Sequence, residues 1–479
     1  MKQDLRWYDY ITLNIYWFAL TTRSQVLSPL IVPLLVQRFV GEEAKGTYVG
    51  QIRLWSLMVA VLIQALMGLL SDHSTLRWGR RRPFIVAGTL GELVMFTLIG
   101  FSAGLEGMTG YWALFALYTL SMVSANTAHG ATQGLIPDLV PEDKRGRASG
   151  VKALLELPVP LIFVSFVVGD LVSAGNLWGA LFALMAVLVI CMVAALFVPE
   201  RPPEKSSSRL DWEPFVRLVL MTAAFTVIIL GSGTLVKAAM RLPLDLPPLI
   251  HGLVTGLTGL IGVGIAVGMG VWVSVRISVG REIREYPSFT WWVVNRLAFL
   301  VASTNLAIFM LYFLQERFPD LQAEKAAGPA SRAIMFVGIA VLLTALPSGW
   351  LADRFGKKPL VALSGILAAI GTFIVILIPS LNATYVGGCF VGAAIGLFYS
   401  ANWALGTDIV PRERAGHYLG ISNLAGAGAG AVGAYIGGPI ADQSGYVLLF
   451  TIYGLLFLLS ILALGGVQEK RARDVPQAG

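Results

Sequence analysis

The sequence predicts an all-α polytopic membrane protein of about fourteen spanning helices, built on an internal duplication. Three observations predict it. Of the 479 residues, 56% are hydrophobic and 13% charged, about half the charged share of a soluble domain. Mean hydropathy is +0.73, so the bulk solvent of this chain is lipid. Apolar windows long enough to cross a bilayer recur between short polar loops, and two loop motifs return in the same order far downstream.

A spanning helix needs about 20 mostly apolar residues. Windows of that length fall at 10–36, 47–71, 84–104, 110–136, 148–172 and 176–198. A polar stretch rich in Pro, Ser and charge, 199–208, reads as a linker. Two further spans, 215–238 and 249–275, precede a charged break at 281–285. Six more follow, at 290–314, 331–352, 358–379, 384–407, 416–440 and 446–466. The implied organisation is a six-helix bundle over 1–200, a linker and two-helix insert over 201–285, and a second six-helix bundle over 286–479. The segment 1–10 is polar, and the apolar run after it is too long for a signal-peptide core, so it reads as a membrane helix.

Charge placement supports an even count. With the N-terminus inside, the inner loops hold Lys2, Arg6, Arg77, Arg80, Arg81, Arg82, Lys144, Arg145 and Arg147, and further on Arg276, Arg281, Arg354, Lys357, Lys358, Arg412 and Arg414. The outer loops hold few cations: Arg38, Lys45, Arg241, Arg317, Lys325 and Arg332. The net charge of +7 therefore marks orientation, with both termini cytoplasmic in the cell's inner (plasma) membrane, and does not mark a nucleic-acid partner. Cys191 and Cys389 both lie in apolar runs, which supports neither a disulfide framework nor a zinc site.

The first repeated motif runs Gly68-Leu69-Leu70-Ser71-Asp72, then Arg77-Trp78-Gly79-Arg80-Arg81-Arg82-Pro83. It returns shortened as Gly349-Trp350-Leu351-Ala352-Asp353-Arg354-Phe355-Gly356-Lys357-Lys358-Pro359. The second, Pro137-Asp138-Leu139-Val140-Pro141 with Arg145 close behind, returns as Thr407-Asp408-Ile409-Val410-Pro411 with Arg414. Two motifs at equivalent helix boundaries in the same order imply duplication, with the central pair of helices outside the repeat.

These loops resemble those of the major facilitator superfamily, over nearly all of the chain except 210–285. The resemblance implies two six-helix bundles working by alternating access. In it Asp72 and the Arg80–Arg82 cluster, with Arg145 as a further partner, latch neighbouring helices, and Asp353, Arg354 and Lys357 form the second copy. The longer first loop, with Ile63-Gln64-Ala65-Leu66-Met67-Gly68 before it, is similar to that of sucrose transporters and their bacterial relatives in the glycoside–cation symporter group. The chain departs from that group on its fourth span. The group's membrane-embedded acidic residue, associated with proton coupling, falls on Met122, and its nearby arginine falls on Gln133.

Ionisable side chains inside the spans are costly and mark functional positions by default. Arg23 lies near mid-span on the first helix, with Gln25 beside it; Asn126, His129 and Gln133 share one face of the fourth. Lys152 and Glu156 are four apart on the fifth, just before Pro158 and Pro160. By the resemblance, Arg296, Thr304, Asn305, Asn402 and Trp403 face the same cavity, as does Gln64. Arg23 is expected to meet Glu156, either as a site where substrate or proton competes for the carboxylate or as a permanent ion pair. Glu92, on the third span, reads as a protonated structural carboxyl.

The function these readings imply is secondary active transport of a small polar organic solute, with a sugar or glycoside favoured by resemblance, coupled to a proton or sodium gradient. A proton-coupled drug or lipid exporter is the alternative within transport. A non-transporting membrane sensor or assembly factor is the alternative outside it. The partners expected are the small-molecule substrate, the coupling ion and membrane lipids. No nucleophile–base–orienter set, metal cluster or nucleotide-binding motif is visible, so neither an enzyme nor a cofactor is expected.

Overall fold

The computed structural model describes residues 6–198, 200, 212–241, 247–279, 287–410 and 415–468, with only the backbone of 415–425 and of 248–249. Among them are fourteen long helices and no strand. They are α1 (Trp7–Val40), α2 (Lys45–Asp72), α3 (Arg82–Ser102), α4 (Gly107–Gln133), α5 (Glu142–Ser173), α6 (Leu177–Ala195) and α7 (Glu213–Met240). Then come α8 (Pro248–Val279), α9 (Pro287–Arg317), α10 (Ala327–Phe355), α11 (Lys357–Leu377), α12 (Leu381–Ile409), α13 (Ala415–Ser444) and α14 (Tyr446–Ala463). Each predicted span corresponds to one helix. Several helices run past the apolar window, because backbone hydrogen bonding continues into polar ends that lipid does not require. Twelve are long and apolar enough to cross a membrane on length and composition alone. The other two are α4 and α13, and α4 carries Ser121, Ser124, Asn126, Thr127, His129, Thr132 and Gln133 in its second half.

Prolines shape the helices nearest the site. Pro29 lacks the N–H its turn needs, and α1 passes it through a π-turn over Leu27–Ile31. In α5 the regular helix stops at Glu156, Leu157 departs from it (φ −118°, ψ −74°), and the helix restarts with Pro158 at its first position. The helix is thus broken just beyond Glu156, which leaves Glu156 at a helix end.

The chain forms two compact units, Met1–Val219 with Ile308–Met335, and Leu220–Ala307 with Phe336–Gly479. In the first, the end of α9 and start of α10 are held by hydrogen bonds to α1, α2 and α5. The Tyr312 hydroxyl donates to the Pro33 carbonyl at 2.6 Å, and Gln315 Nε2 donates to Gln37 Oε1 at 3.0 Å. Lys45 Nζ donates to Gln315 Oε1 at 3.1 Å and lies 4.4 Å over the Tyr312 ring. Arg332 pairs with Asp170 at 3.0 Å. In the loop before α2, partial burial opposes the Glu42 charge, but hydrogen bonds from Lys45 and Gln37 outweigh it and hold that carboxyl below its usual range.

The second unit contains the two-helix insert. On α8, a Cβ at Gly259 would meet Ile440 Cδ1 at 2.5 Å, so this glycine lets α8 lie directly on α13, while Gly252, Gly264 and Gly268 face open space. The glycine run therefore has two explanations, helix packing on one face and simple tolerance on the other. Elsewhere α11 and α12 touch backbone to backbone, where a Cβ at Gly371 would sit 2.6 Å from the Gly387 carbonyl. The Phe299 ring on α9 stacks on Phe398 of α12 with centroids 3.7 Å apart.

Candidate functional site

The repeated loops form cation–carboxylate hubs. In the first, buried Arg81 at the start of α3 reaches three acceptors. Its Nε and Nη2 both lie 2.9 Å from Asp138 Oδ2, Nη1 donates to Ser71 Oγ at 2.6 Å, and Nη2 also pairs with Asp72. Arg80 adds a second contact to Asp72 at 3.3 Å. The guanidinium presents rigid, forked donors, so one side chain can tie the end of α2 and the short helical turn Leu135–Leu139 after α4 to the start of α3. Counted back from the helix-starting proline, Arg81 corresponds to Lys357, and Lys357 pairs with Asp408, the counterpart of Asp138.

The copies differ in their third member. Asp353, at the Asp72 position, is exposed and makes no ion pair among the described residues, while Arg354 lies over the Trp350 and Phe355 rings at 5.3 and 5.6 Å. Arg145 does not reach Asp72: it donates to the Pro137 carbonyl at 3.2 Å and faces Glu142 at 3.8 Å. The expected Asp72–Arg145 contact is therefore corrected; α5 begins at a turn that points this side chain back along its own loop. Arg77 is exposed, Arg82 is half-buried, and Arg414 lies outside the described residues.

Glu200 completes the first hub and was read from sequence only as linker. Its carboxylate accepts from the backbone N–H groups of Arg80, Arg81 and Arg82 at 2.7, 2.6 and 3.2 Å. It thereby satisfies donors that the start of α3 leaves free and places a negative charge at the positive end of the helix. Glu200→Ala is expected to cost about 1–2 kcal/mol in equilibrium unfolding, as loss of a helix cap does. A cost indistinguishable from zero would remove Glu200 from the hub.

Within the membrane helices, Arg23 on α1 does not meet Glu156. Its Nε donates to Glu92 Oε2 of α3 at 2.6 Å and its Nη2 to Ser121 Oγ of α4 at 2.7 Å. Ser121 in turn donates to Glu92 Oε1 at 2.7 Å. Arg23 is 5% exposed and Glu92 1%, so the pair is sealed from solvent. Met122 lies against this pair, its sulfur 3.7 Å from Arg23 Nη1. Glu92, expected as a protonated structural carboxyl, is instead the ion-pair partner of Arg23, because α3 packs along α4 with Glu92 turned inward.

Glu156 pairs instead with Lys152 of its own helix at 3.4 Å. Lys152 Nζ lies 3.7 Å over the Trp17 ring, and His129 meets the same ring edge-to-face at 5.2 Å. Gln133 Nε2 stands 3.3 Å from His129 Nε2, so α1, α4 and α5 contribute to one polar cluster. Glu156 is 37% exposed, against 1% for Glu92. Trp17, the centre of the cluster, was missed; an aromatic in an apolar span gives no sequence signal of its own. Asn126 turns back on its helix, donating to the Met122 carbonyl at 2.9 Å, and Gln25 and Gln64 are half-buried. Buried Arg53 was also missed; it donates to Ser28 Oγ at 2.8 Å, which bonds the Tyr118 hydroxyl at 2.7 Å.

In the second unit Arg296 Nη1 donates to Asn402 Oδ1 at 3.0 Å, with Trp403 beside it. Asn305, fully buried, instead joins α9 to α13 by donating to the Ala429 carbonyl at 3.2 Å, a packing role. Thr304 donates to its own helix at Leu300. Both cysteines are free, and no group of three or more His, Cys, Asp or Glu is placed to hold a metal among the described residues.

The family model of the Major Facilitator Superfamily matches residues 14–316 and 318–478. The chain belongs to the major facilitator superfamily. It is an integral membrane transporter and not an enzyme. Among relatives, rice sucrose transport protein SUT1 is 30% identical over 110 residues, 20% of each chain. The multi-drug resistance efflux pump PmrA of Streptococcus pneumoniae is 26% identical over 160 residues, 32% of this chain and 40% of the pump. The matches span about a fifth of the length of the sucrose transport proteins. Among solved structures, a D-xylose-proton symporter superposes with a TM-score of 0.63 at 17% identity, over 96% of this chain and 98% of the symporter. The nucleoside transporter NupG gives 0.60 at 13%, over 96% and 100%. At such identities these two likenesses establish the major facilitator fold alone.

Proposed function

We propose that this major facilitator transporter moves a small polar organic solute, a sugar or glycoside foremost, by alternating access coupled to a proton or sodium gradient. The observation that carries the reading is the cluster of Trp17, His129, Gln133, Lys152 and Glu156, in which an aromatic ring, hydrogen-bonding groups and a partly exposed carboxylate converge inside an apolar bundle. Polyhydroxylated solutes need that combination of apolar face and paired hydrogen bonds. The match to sucrose transport proteins and the likeness to a xylose-proton symporter support the solute class. Both termini lie in the cytoplasm, by the inside-positive distribution of charge, and the protein resides in the cell's inner (plasma) membrane.

Glu156 is the coupling carboxylate in this reading and Arg23–Glu92 is not. A coupling ion must reach its site, and Glu156 is 37% exposed at a helix end where Pro158 leaves the backbone free to adjust. Its neutralisation would release Lys152, which also lies over the Trp17 ring. In proteoliposomes loaded with the purified chain, Glu156→Gln is expected to keep glycoside counterflow but lose gradient-driven accumulation by about tenfold or more. Accumulation equal to wild type sinks the assignment. The match to PmrA supports a second reading, drug export. Extrusion of amphiphilic cations without glycoside counterflow would establish it instead.

A further inference from the structure

Among the described residues, the carboxylate that neutralises Arg23 in the first unit has no counterpart around Arg296. Arg296 on α9 is 6% exposed, yet it makes no ion pair among the described residues. Among the described residues its guanidinium donates one hydrogen bond, from Nη1 to Asn402 Oδ1, and its Nε is buried with no hydrogen-bond partner. The charge is instead held by rings: Trp403, Tyr399 and Trp292 lie with centroids 5.6, 5.7 and 5.9 Å from the guanidinium carbon.

The surroundings are fixed, as a binding site requires. Asn402 Nδ2 donates to Asn295 Oδ1 at 2.9 Å, and Asn295 Nδ2 donates to the Ser460 carbonyl at 2.9 Å. Trp292 Nε1 donates to the Asn402 carbonyl at 2.9 Å. This relay holds the Asn402 oxygen toward Arg296, so the guanidinium is aimed and its remaining donors are left over. Tyr399 and Trp403 follow i, i+4 spacing on α12, and both keep exposed surface, 45% and 39%. Two partly accessible rings therefore flank a buried cation whose donor fork matches a carboxylate in geometry.

We propose that Arg296 receives the carboxylate of an anionic solute, a sugar acid whose ring face rests on Trp403. This rests on the solute-transport reading above and narrows its substrate class. Burial makes an unneutralised cation costly, and an arriving carboxylate repays that cost in a way that a neutral sugar cannot. An aromatic ring beside the fork takes the apolar face of the same solute.

The test compares matched pairs on the full chain in detergent and in proteoliposomes: D-glucuronate against methyl glucoside, and lactobionate against lactose. The acid of at least one pair is expected to bind about tenfold or more tightly than its neutral partner, the margin of a charge-assisted hydrogen bond. Arg296→Gln should abolish that preference and Arg296→Lys should retain part of it, each with its unliganded melting temperature recorded. Should Arg296→Gln not fold, Arg296→Lys and Trp403→Leu carry the comparison, both expected to weaken the acid. Equal binding of acid and neutral sugar, or a preference unchanged in these variants, overturns the proposal. If neutral sugars alone are bound and moved, by wild type and variants alike, the anion site fails while the transport reading stands. If no member of either pair is bound or moved, both fail.

Discussion

Replacing Arg23 by Leu is expected to destabilise the protein by about 3–5 kcal/mol, because it strands Glu92 as an uncompensated charge in a site that is 1% exposed. Glu92→Leu should cost a similar amount for the mirror reason. The double replacement should recover most of the loss, since two apolar side chains of comparable volume remove both desolvation costs together. Equilibrium unfolding of the four proteins in mixed micelles forms a double-mutant cycle, and its coupling term reads the pair directly. The same proteins separate structure from transport. A structural pair predicts that the double variant still accumulates solute. If it folds with wild-type stability but loses accumulation, the coupling role moves from Glu156 to Glu92.

How much of this was legible beforehand varies by element. The helices were, because lipid demands a long apolar run for each crossing and the loops between them carry the charge. The hubs were legible in part. Asp72, Asp138, Lys357 and Asp408 stand in repeated motifs, but Glu200 looked like linker, and its role depends on the end of α6 returning to the start of α3. Arg23 was recognisable as an expensive buried charge, yet nothing in a linear pattern says which carboxylate answers it. Glu156 and Glu92 were equally available, and only packing chose Glu92, through the shared hydroxyl of Ser121. Trp17 was invisible for a different reason: a tryptophan in a membrane span is unremarkable until Lys152 and His129 are seen to close on it.

The repeat itself sets the second large prediction, in which one chemical change at corresponding positions gives unequal results. Arg81 is 4% exposed and bridges Asp72, Asp138 and Ser71, whereas Lys357 binds Asp408 at a half-exposed site and also lies 3.5 Å from the Ala404 carbonyl. Arg81→Gln takes the buried cation from Asp138 and leaves Asp72 with its longer contact to Arg80, and should cost about 2–4 kcal/mol with loss of most transport. Lys357→Gln breaks the pair with Asp408, whose carboxylate is 37% exposed, and should cost about 1 kcal/mol or less, with transport reduced but measurable. Arg81→Lys distinguishes charge from shape. A lysine restores the charge as one point and cannot hold the fork, so it should rescue stability only in part. Raising salt should weaken the Lys357–Asp408 pair more than the Arg81–Asp138 pair, because screening acts on exposed pairs first. Equal effects at the two sites, or full rescue by Arg81→Lys, would mean that both loops serve only as inside-positive charge, and the hub at Asp72 would lose its standing as a latch.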